Sequence, residues 1–282
     1  MKLRIDLHSH STCSDGELSP SELIDLATKG DLDILALTDH DTISGLEEAK
    51  NYIKENGLKL KLIPGIEFST LWNEKEIHIV GLGFDINNKD LLATIHKNQN
   101  LRNSRIKEIS KKLNEMFNNK FDFSFDTSSK SITRAHFARK LIEYKIVRSN
   151  QEAFDKYLGV GAKGYVESSW ISMKEAIKAI EIAGGIAVLA HPFKYNLNLE
   201  NLAKLCYDFK TNNGKAVELL KKGSTKVYYA WLVDFLRKNN LQASLGSDFH
   251  SPRFHNNLAS CAALPSQLTP VWYLPNLTSF IK

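Results

Sequence analysis

Asp6-Leu7-His8-Ser9-His10 closes a short apolar run at the start of the chain and sets two imidazoles one residue apart. Alternate side chains of an extended strand project from one face, so His8 and His10 can reach a single ion. Imidazole is the commonest metal ligand near neutral pH. Further donors recur downstream: Asp15, His40, Glu67, His78, His191, Asp248 and His250. These seven, with His8 and His10, include six of the nine histidines in the chain, and most end an apolar run. Oxygen and nitrogen donors without thiolate favour Mn²⁺, with Fe²⁺ or Zn²⁺ as alternatives. Nine donors exceed the needs of one ion and suit two or three that share a carboxylate. Such ions activate water for hydrolysis.

Each donor also has a plainer reading. Asp41 could cap a helix beside His40. His191 could simply end a strand, because the residue before Pro192 favours an extended backbone. Glu67 could pair with a surface cation, and Asp248-Phe249-His250 could be a loop. Their joint placement argues against coincidence, since buried unpaired charges are costly.

Seven apolar runs recur, all but the sixth carrying or ending in donors: Leu3–Leu7, Ile34–Leu37, Leu60–Ile66, Ile77–Leu82, Ile186–Ala190, Ala216–Leu220 and Ala243–Gly246. Helical patterns separate most of them. Ser19-Pro20-Ser21-Glu22 reads as a capping box with proline in the first turn. Ile43–Glu55 and Met173–Ala183 read as helices, the second capped by Ser172. Strands alternating with helices imply parallel βαβ units, and seven of them imply an α/β fold, a distorted seven-stranded (β/α) barrel. In such barrels chemistry sits at the C-terminal ends of the strands. His78 departs from that rule, lying near the beginning of its run. Residues 1–95 and 167–282 are expected to form the barrel. Residues 96–166 are basic, helical and rich in Lys, Asn and Ser, and form an inserted helical subdomain expected to cap the substrate. The tail after Ser251 has no strong periodicity.

The net charge is +5, from 37 basic and 32 acidic residues. Lysines scattered over polar helices fit an anionic substrate and do not form the basic stripe of a bulk nucleic-acid binder. Three cysteines, Cys13, Cys206 and Cys261, give neither a disulfide framework nor a Cys-x-x-Cys motif. A reducing cytoplasm is the expected setting. With no apolar leader and no run of about 18 apolar residues, neither a signal peptide nor a spanning helix is expected. No obligatory protein partner is evident. Gly-x-Ser-x-Gly, Walker and Gly-x-Gly-x-x-Gly motifs are absent.

Four motifs in order complete the pattern. Asp6-Leu7-His8-Ser9-His10-Ser11 with Ser14-Asp15-Gly16, Thr38-Asp39-His40-Asp41-Thr42 with Pro64-Gly65-Ile66-Glu67, Ala190-His191-Pro192, and Gly246-Ser247-Asp248-Phe249-His250 resemble the PHP (polymerase and histidinol phosphatase) family. Trp72-Asn73, Glu76 to Gly83, Thr133 to Arg139, Tyr157-Leu158-Gly159, Lys163 to Val166 and Pro270-Val271-Trp272 resemble one branch of it, the bacterial nucleoside 3′,5′-bisphosphate phosphatases, also described as 5′-to-3′ exoribonucleases.

The resemblance implies a trinuclear site. His8, His10, Glu67 and Asp248 would hold one ion, Asp15, His40 and His250 a second, and Glu67, His78 and His191 a third. Many family members carry histidine where this chain has Asp15, and the branch carries aspartate. The implied reaction is hydrolysis of the 3′-phosphate of a nucleoside 3′,5′-bisphosphate, such as adenosine 3′,5′-bisphosphate to AMP, and of short RNA from its 5′ end. A hydroxide bridging two ions would attack. Arg134 and His136, followed by Lys163 and Lys194, are the candidates for a second phosphate, arginine by its bidentate fork. The alternative for Arg134 is a surface salt bridge. Trp72 and Phe123 could stack a base or pack in a core. The alternative substrate is a small non-nucleotide monoester such as histidinol phosphate, and the insertion segments argue against it.

Overall fold

The structure, a computed structural model, describes residues 3–219, 225–252, 258 and 264–281. Seven strands follow one another in a single order: β1 (Ile5–Asp6), β2 (Ile34–Leu37), β3 (Lys61–Trp72), β4 (Lys75–Leu82), β5 (Ile186–Leu189), β6 (Ala216–Glu218) and β7 (Gln242–Ser244). The helices are α1 (Pro20–Lys29), α2 (Gly45–Glu55), α3 (Lys89–Met116), α4 (Arg134–Glu143), α5 (Asn150–Ala153), α6 (Met173–Ile182), α7 (Leu199–Thr211), α8 (Lys226–Lys238) and α9 (Pro275–Ile281). Leu220, at the end of the expected sixth run, and Cys261 lie outside the described residues.

The two edges of the sheet meet. Leu7 N–H donates to Leu245 O at 2.9 Å, Asp248 N–H to His8 O at 2.9 Å and His10 N–H to Phe249 O at 2.9 Å. These bonds close the barrel along a seam formed by the first and last strands. Alternation along each strand then separates two cores. Ile5, Ile34, Ala36, Val80, Val188 and Ala216 point into the barrel, while Leu35, Leu37, Ile66 and Leu189 pack outward against the helices. Leu277 of α9 joins the inner cluster and plugs the end opposite the donors, where Asn276 bonds Gly184 O at 2.7 Å.

The expected all-parallel pattern fails at β4, which is antiparallel to both β3 and β5. The cause is local. Asn73 and Glu74 form a two-residue turn between paired Trp72 and Lys75, with φ of 46° and 63°, the signature of a tight hairpin turn. Reversal brings the beginning of β4 to the rim where its neighbours end. The early position of His78 in its strand is explained by this reversal. Glu67 likewise sits inside β3, which extends past the rim to make the hairpin.

The expected capping box forms: Glu22 N–H donates to Ser19 Oγ at 3.2 Å and Ser19 N–H to Glu22 Oε2 at 2.8 Å. Ser172 caps α6 as expected. The 28-residue helix α3 passes from one core to another. Leu91 and Ile95 pack on the barrel, whereas Ile106, Ile109 and Leu113 join Phe123, Phe137 and Leu141 in a separate apolar cluster. Phe123 is fully buried there and presents no stacking platform, while Trp72, half-buried on the barrel core, donates its Nε1–H to Asp208 at 2.7 Å. Between the two apolar stretches, α3 carries buried Asn98 and Arg102. Asn98 Nδ2 donates to Asp41 Oδ1 at 2.6 Å. Arg102 donates to Asp41, to Ser69 Oγ at 2.7 Å and to Ile132 O at 3.2 Å. Asp41 is therefore not a helix cap; α2 is preceded by Ser44.

Arg102→Ala would leave the Asp41 carboxylate buried without its cation. Removing one partner of a buried pair costs about 3–5 kcal/mol. Chemical denaturation should register a loss of that size, with unchanged stability as the contrary result.

Candidate metal centre

All nine donors expected from the sequence converge at the closed rim of the barrel. Glu67 is their hub and is fully buried. Its Oε2 lies 3.2 Å from His8 Nε2, 3.2 Å from His10 Nε2 and 3.0 Å from His40 Nδ1. Its Oε1 lies 2.9 Å from His78 Nδ1 and 2.8 Å from His191 Nε2. Asp248 Oδ1 stands 3.5 Å from His8 Nε2 and 3.3 Å from His10 Nε2. Asp15 Oδ1 stands 3.3 Å from His250 Nε2 and 3.8 Å from His40 Nε2.

Among the described residues, three sets have donor atoms within 4.8 Å of one another: His8, His10, Glu67 and Asp248; His10, Asp15, His40 and His250; and His40, Glu67 and His78. The third set differs from the expected grouping, with His40 in place of His191. His191 nonetheless touches the same Glu67 oxygen as His78. Glu67 Oε2, Asp15 Oδ1 and His40 Nδ1 are buried and accept no hydrogen bond. Bare buried oxygens facing imidazole nitrogens are costly unless a cation sits between them, so this donor set fits divalent metal.

The backbone is bent to achieve this. His191 has φ 24° and ψ 58°, Asp248 φ 53° and Asp41 φ 52°, left-handed conformations that non-glycine residues adopt at a cost of about 1–3 kcal/mol. The extended reading of His191 before Pro192 is thus replaced by a tight turn into a short 3₁₀ helix, Pro192–Tyr195. Gly246 permits the seam: a Cβ there would lie 2.3 Å from His8 Cβ.

A second layer of residues orients the donors, and sequence reasoning missed it. Glu218 Oε1 holds His8 Nδ1 at 2.6 Å and Glu218 Oε2 accepts the His191 N–H at 2.7 Å. A carboxylate on the far nitrogen fixes the imidazole with Nε2 turned inward. Glu218 lies inside the apolar run Ala216–Leu220 and is the last residue of β6, so the run-end signal that marked most donors did not mark it. Asp39 accepts the hydroxyls of Ser11 and Ser14 at 2.7 and 2.6 Å. Thr133, the N-cap of α4, donates to Asp15 Oδ2 at 2.8 Å and leaves Oδ1 facing the imidazoles.

Burial opposes protonation of His10 and His78, but carboxylates outweigh it. Bonds to Asp248 and Glu67 lift His10 to about 10, and the charge of Glu67 with contacts to Glu76 lifts His78 to about 9. Burial prevails at His40 and His191, which are pushed down. Glu67, Asp15 and Asp248 are held well below the usual carboxylate range; imidazolium neighbours overcome the burial penalty for the first two, and Lys194 leads for Asp248.

Two cavities open from the cluster. The first, about 130 Å³, is walled by Arg134, Arg105, Glu76, Trp170 and Phe154, with His40 and His78 at its base. Arg134 does form the salt bridge offered as its alternative, 3.4 Å to Glu76 Oε1. Arg105 shares Glu76 at 3.3 Å, so two cations face one carboxylate and the wall stays positive. The second, about 640 Å³, lies beyond Asp15 and holds Lys194, which pairs with Asp248. His136 faces neither of these two cavities but lines an adjoining groove with Lys130 and Arg139. Its Nδ1 accepts the Thr133 N–H at 3.1 Å as part of the α4 cap, and burial pushes it down to about 4. Lys163 is an exposed loop residue that lines neither cavity.

The PHP domain profile matches residues 6–219. The chain belongs to the PHP domain family. A 5′-3′ exoribonuclease of Haemophilus influenzae is 40% identical over 273 residues, covering 96% of this chain and 99% of that protein. A 3′,5′-nucleoside bisphosphate phosphatase of Chromobacterium violaceum is 34% identical, covering 95% of each. Among solved structures, an amidohydrolase from Chromobacterium violaceum, with sulfate bound and no metal, superposes with a TM-score of 0.87 at 32% identity over 98% of this chain and 96% of that one. The PHP match ends before Asp248 and His250, yet the barrel seam returns both to the same cluster as His8.

Metal uptake by this PHP chain must displace the protons on His10 and His78. Mn²⁺ titration at pH 7, in buffers of differing ionisation enthalpy, should therefore show proton release, and affinity should rise with pH up to about 9–10. The sign for metal-free stability is opposite. The folded values of His10 and His78 lie above the unfolded value of about 6.5, so their contribution is full below that pH and fades through 9–10. Glu218→Gln should keep the fold and lower metal affinity about 10–100-fold, measured by metal content after dialysis; unchanged content would remove its orienting role.

Proposed function

We propose that this PHP protein is a metal-dependent phosphoesterase that hydrolyses the 3′-phosphate of nucleoside 3′,5′-bisphosphates and shortens RNA from its 5′ end. The observation that carries this reading is the arginine-walled cavity opening directly onto the donor cluster. Its volume is below the several hundred Å³ of pockets that enclose whole small molecules, which suits a phosphate group. A substrate with two phosphates can set one at the cluster and one against Arg134. The relatives' names support the same substrates, and the matches run through the insertion as well as the barrel.

His8, His10, Glu67 and Asp248 would hold one ion, Asp15, His40 and His250 a second, and Glu67, His78 and His191 a third. Mn²⁺ suits this thiolate-free donor set. When bound, the ions supply an ionised water at neutral pH and neutralise phosphate charge. The protein does the rest. Glu218 holds the His8 ring in one orientation, and Thr133 does the same for Asp15. Arg134 and Arg105 fix the second phosphate by bidentate contact and so align the scissile ester. Lys194 places a cation beside Asp248 at the opposite mouth. Residues 96–166 act as the cap that brings Arg134 over the cluster. Cys13 and Cys206 are free thiols, which suits a reducing cytoplasm.

Purified protein reloaded with Mn²⁺ should release phosphate from adenosine 3′,5′-bisphosphate far faster than from histidinol phosphate. Equal or reversed rates would exclude the nucleotide reading. Arg134→Ala should raise KM for the bisphosphate about tenfold or more, since a charged hydrogen bond contributes about 1.5–3 kcal/mol. A monophosphate lacking the second anion should be insensitive to the same change.

A further inference from the structure

The two cavities at the cluster are unequal, and a bisphosphate needs only one of them. The wider one continues away from the metal donors. Beyond Asp15 and Asp248 it passes Arg139 and Glu17, and these two residues also wall an adjoining groove with Thr12, Ser14 and Lys130. Together they form one path from the cluster, between the residue 12–18 loop and helix α4. The path is held by the fold: Ser131 N–H donates to Cys13 O at 2.8 Å, pinning the Lys130 segment to the loop. Arg139 donates to the Asp15 carbonyl, a neutral acceptor, so its charge is not spent on a carboxylate. Lys130 is exposed and has no ion-pair partner among the described residues. Glu17 is turned to the Ser251 hydroxyl, 2.7 Å away.

We infer that this path binds the RNA strand on the 3′ side of the scissile phosphate. The inference deepens the proposed function and rests on it for the direction of the strand. With a terminal phosphate in the Arg134 cavity and a scissile phosphate at the cluster, the wider cavity offers the remaining strand a way out across Asp15. Arg139 and Lys130 then meet successive backbone phosphates. The path also carries the carboxylates of Glu17 and Glu143, but Lys194, Arg139 and Lys130 space cations along it, and such cations track the backbone of a single strand without reading bases. A nucleoside bisphosphate ends at the cluster and never enters the path. Arg139 and Lys130 therefore separate oligonucleotide from mononucleotide substrates.

The test measures binding and turnover separately. A fluorescently labelled, 5′-phosphorylated single-stranded RNA octamer is titrated with wild type, Lys130→Ala and Lys130→Glu at several salt concentrations, with Ca²⁺ in place of Mn²⁺. Lys130→Ala should weaken binding about tenfold and lower the salt slope by about 0.7–1, one phosphate contact. Lys130→Glu should weaken it further. Hydrolysis of adenosine 3′,5′-bisphosphate by both variants, with Mn²⁺, should match wild type. Octamer binding that is absent in wild type, or equal in all three proteins, overturns the strand path. A bisphosphate KM that rises in parallel with octamer affinity loss also overturns it, since Lys130 would then serve both substrates. Failure of wild type to hydrolyse the bisphosphate overturns the functional reading instead, and the binding result stands apart from it.

Discussion

One buried carboxylate organises this protein. Glu67 lies at the centre of five imidazoles, each within 3.2 Å, with no exposure to solvent. A charge so placed is tolerable only if it is matched, and every neighbouring element contributes to matching it. β1 brings His8 and His10, the loop after β2 brings His40, β4 brings His78, and the turn after β5 brings His191. Barrel geometry is what allows the ends of four other strands to meet at one oxygen pair. The hairpin is part of that requirement, because only a reversed β4 presents His78 at the rim.

Much of this was legible in the sequence. The apolar runs ending in His, Asp or Glu mark five of the strands and seven of the nine donors, because burial and ligation leave compositional traces. Ser19 and Ser172 read correctly because caps are local. The reversal of β4 did not show, since parallel and antiparallel runs share one apolar pattern and the turn Asn73-Glu74 lacks glycine. Nor did the backbone bend at His191, which tertiary contacts impose against the preference of a residue before proline. Glu218 went unread because it lies inside its apolar run, not at its end, and Asp39 and Thr133 act through hydrogen bonds across 25 to 118 positions of sequence. Of the other candidates for the second phosphate, Lys163 stands on an exposed loop, and His136 closes a helix cap and lines the groove that holds Lys130 and Arg139.

The insertion is tied to the barrel by polar bonds at two depths. Asn98 and Arg102 grip Asp41 beneath the cavity floor, and Thr133 grips Asp15 at the cluster itself. Apolar contacts alone would fix the insertion loosely in register, whereas these bonds demand one geometry. The arginine wall and the donor cluster are consequently positioned by the same few side chains.

The seam has a consequence for how the molecule comes apart. His8 and Asp248 face each other across the seam that closes the ring, though they stand 240 positions apart in the chain. A cation gripped by both would behave as a removable cross-link between the two ends of the fold. Its binding energy is therefore drawn on by opening of the whole barrel, not by fraying of one strand. The same clasp ties completion of the site to the last strand to be synthesised, so no partial barrel can hold the full set of ligands.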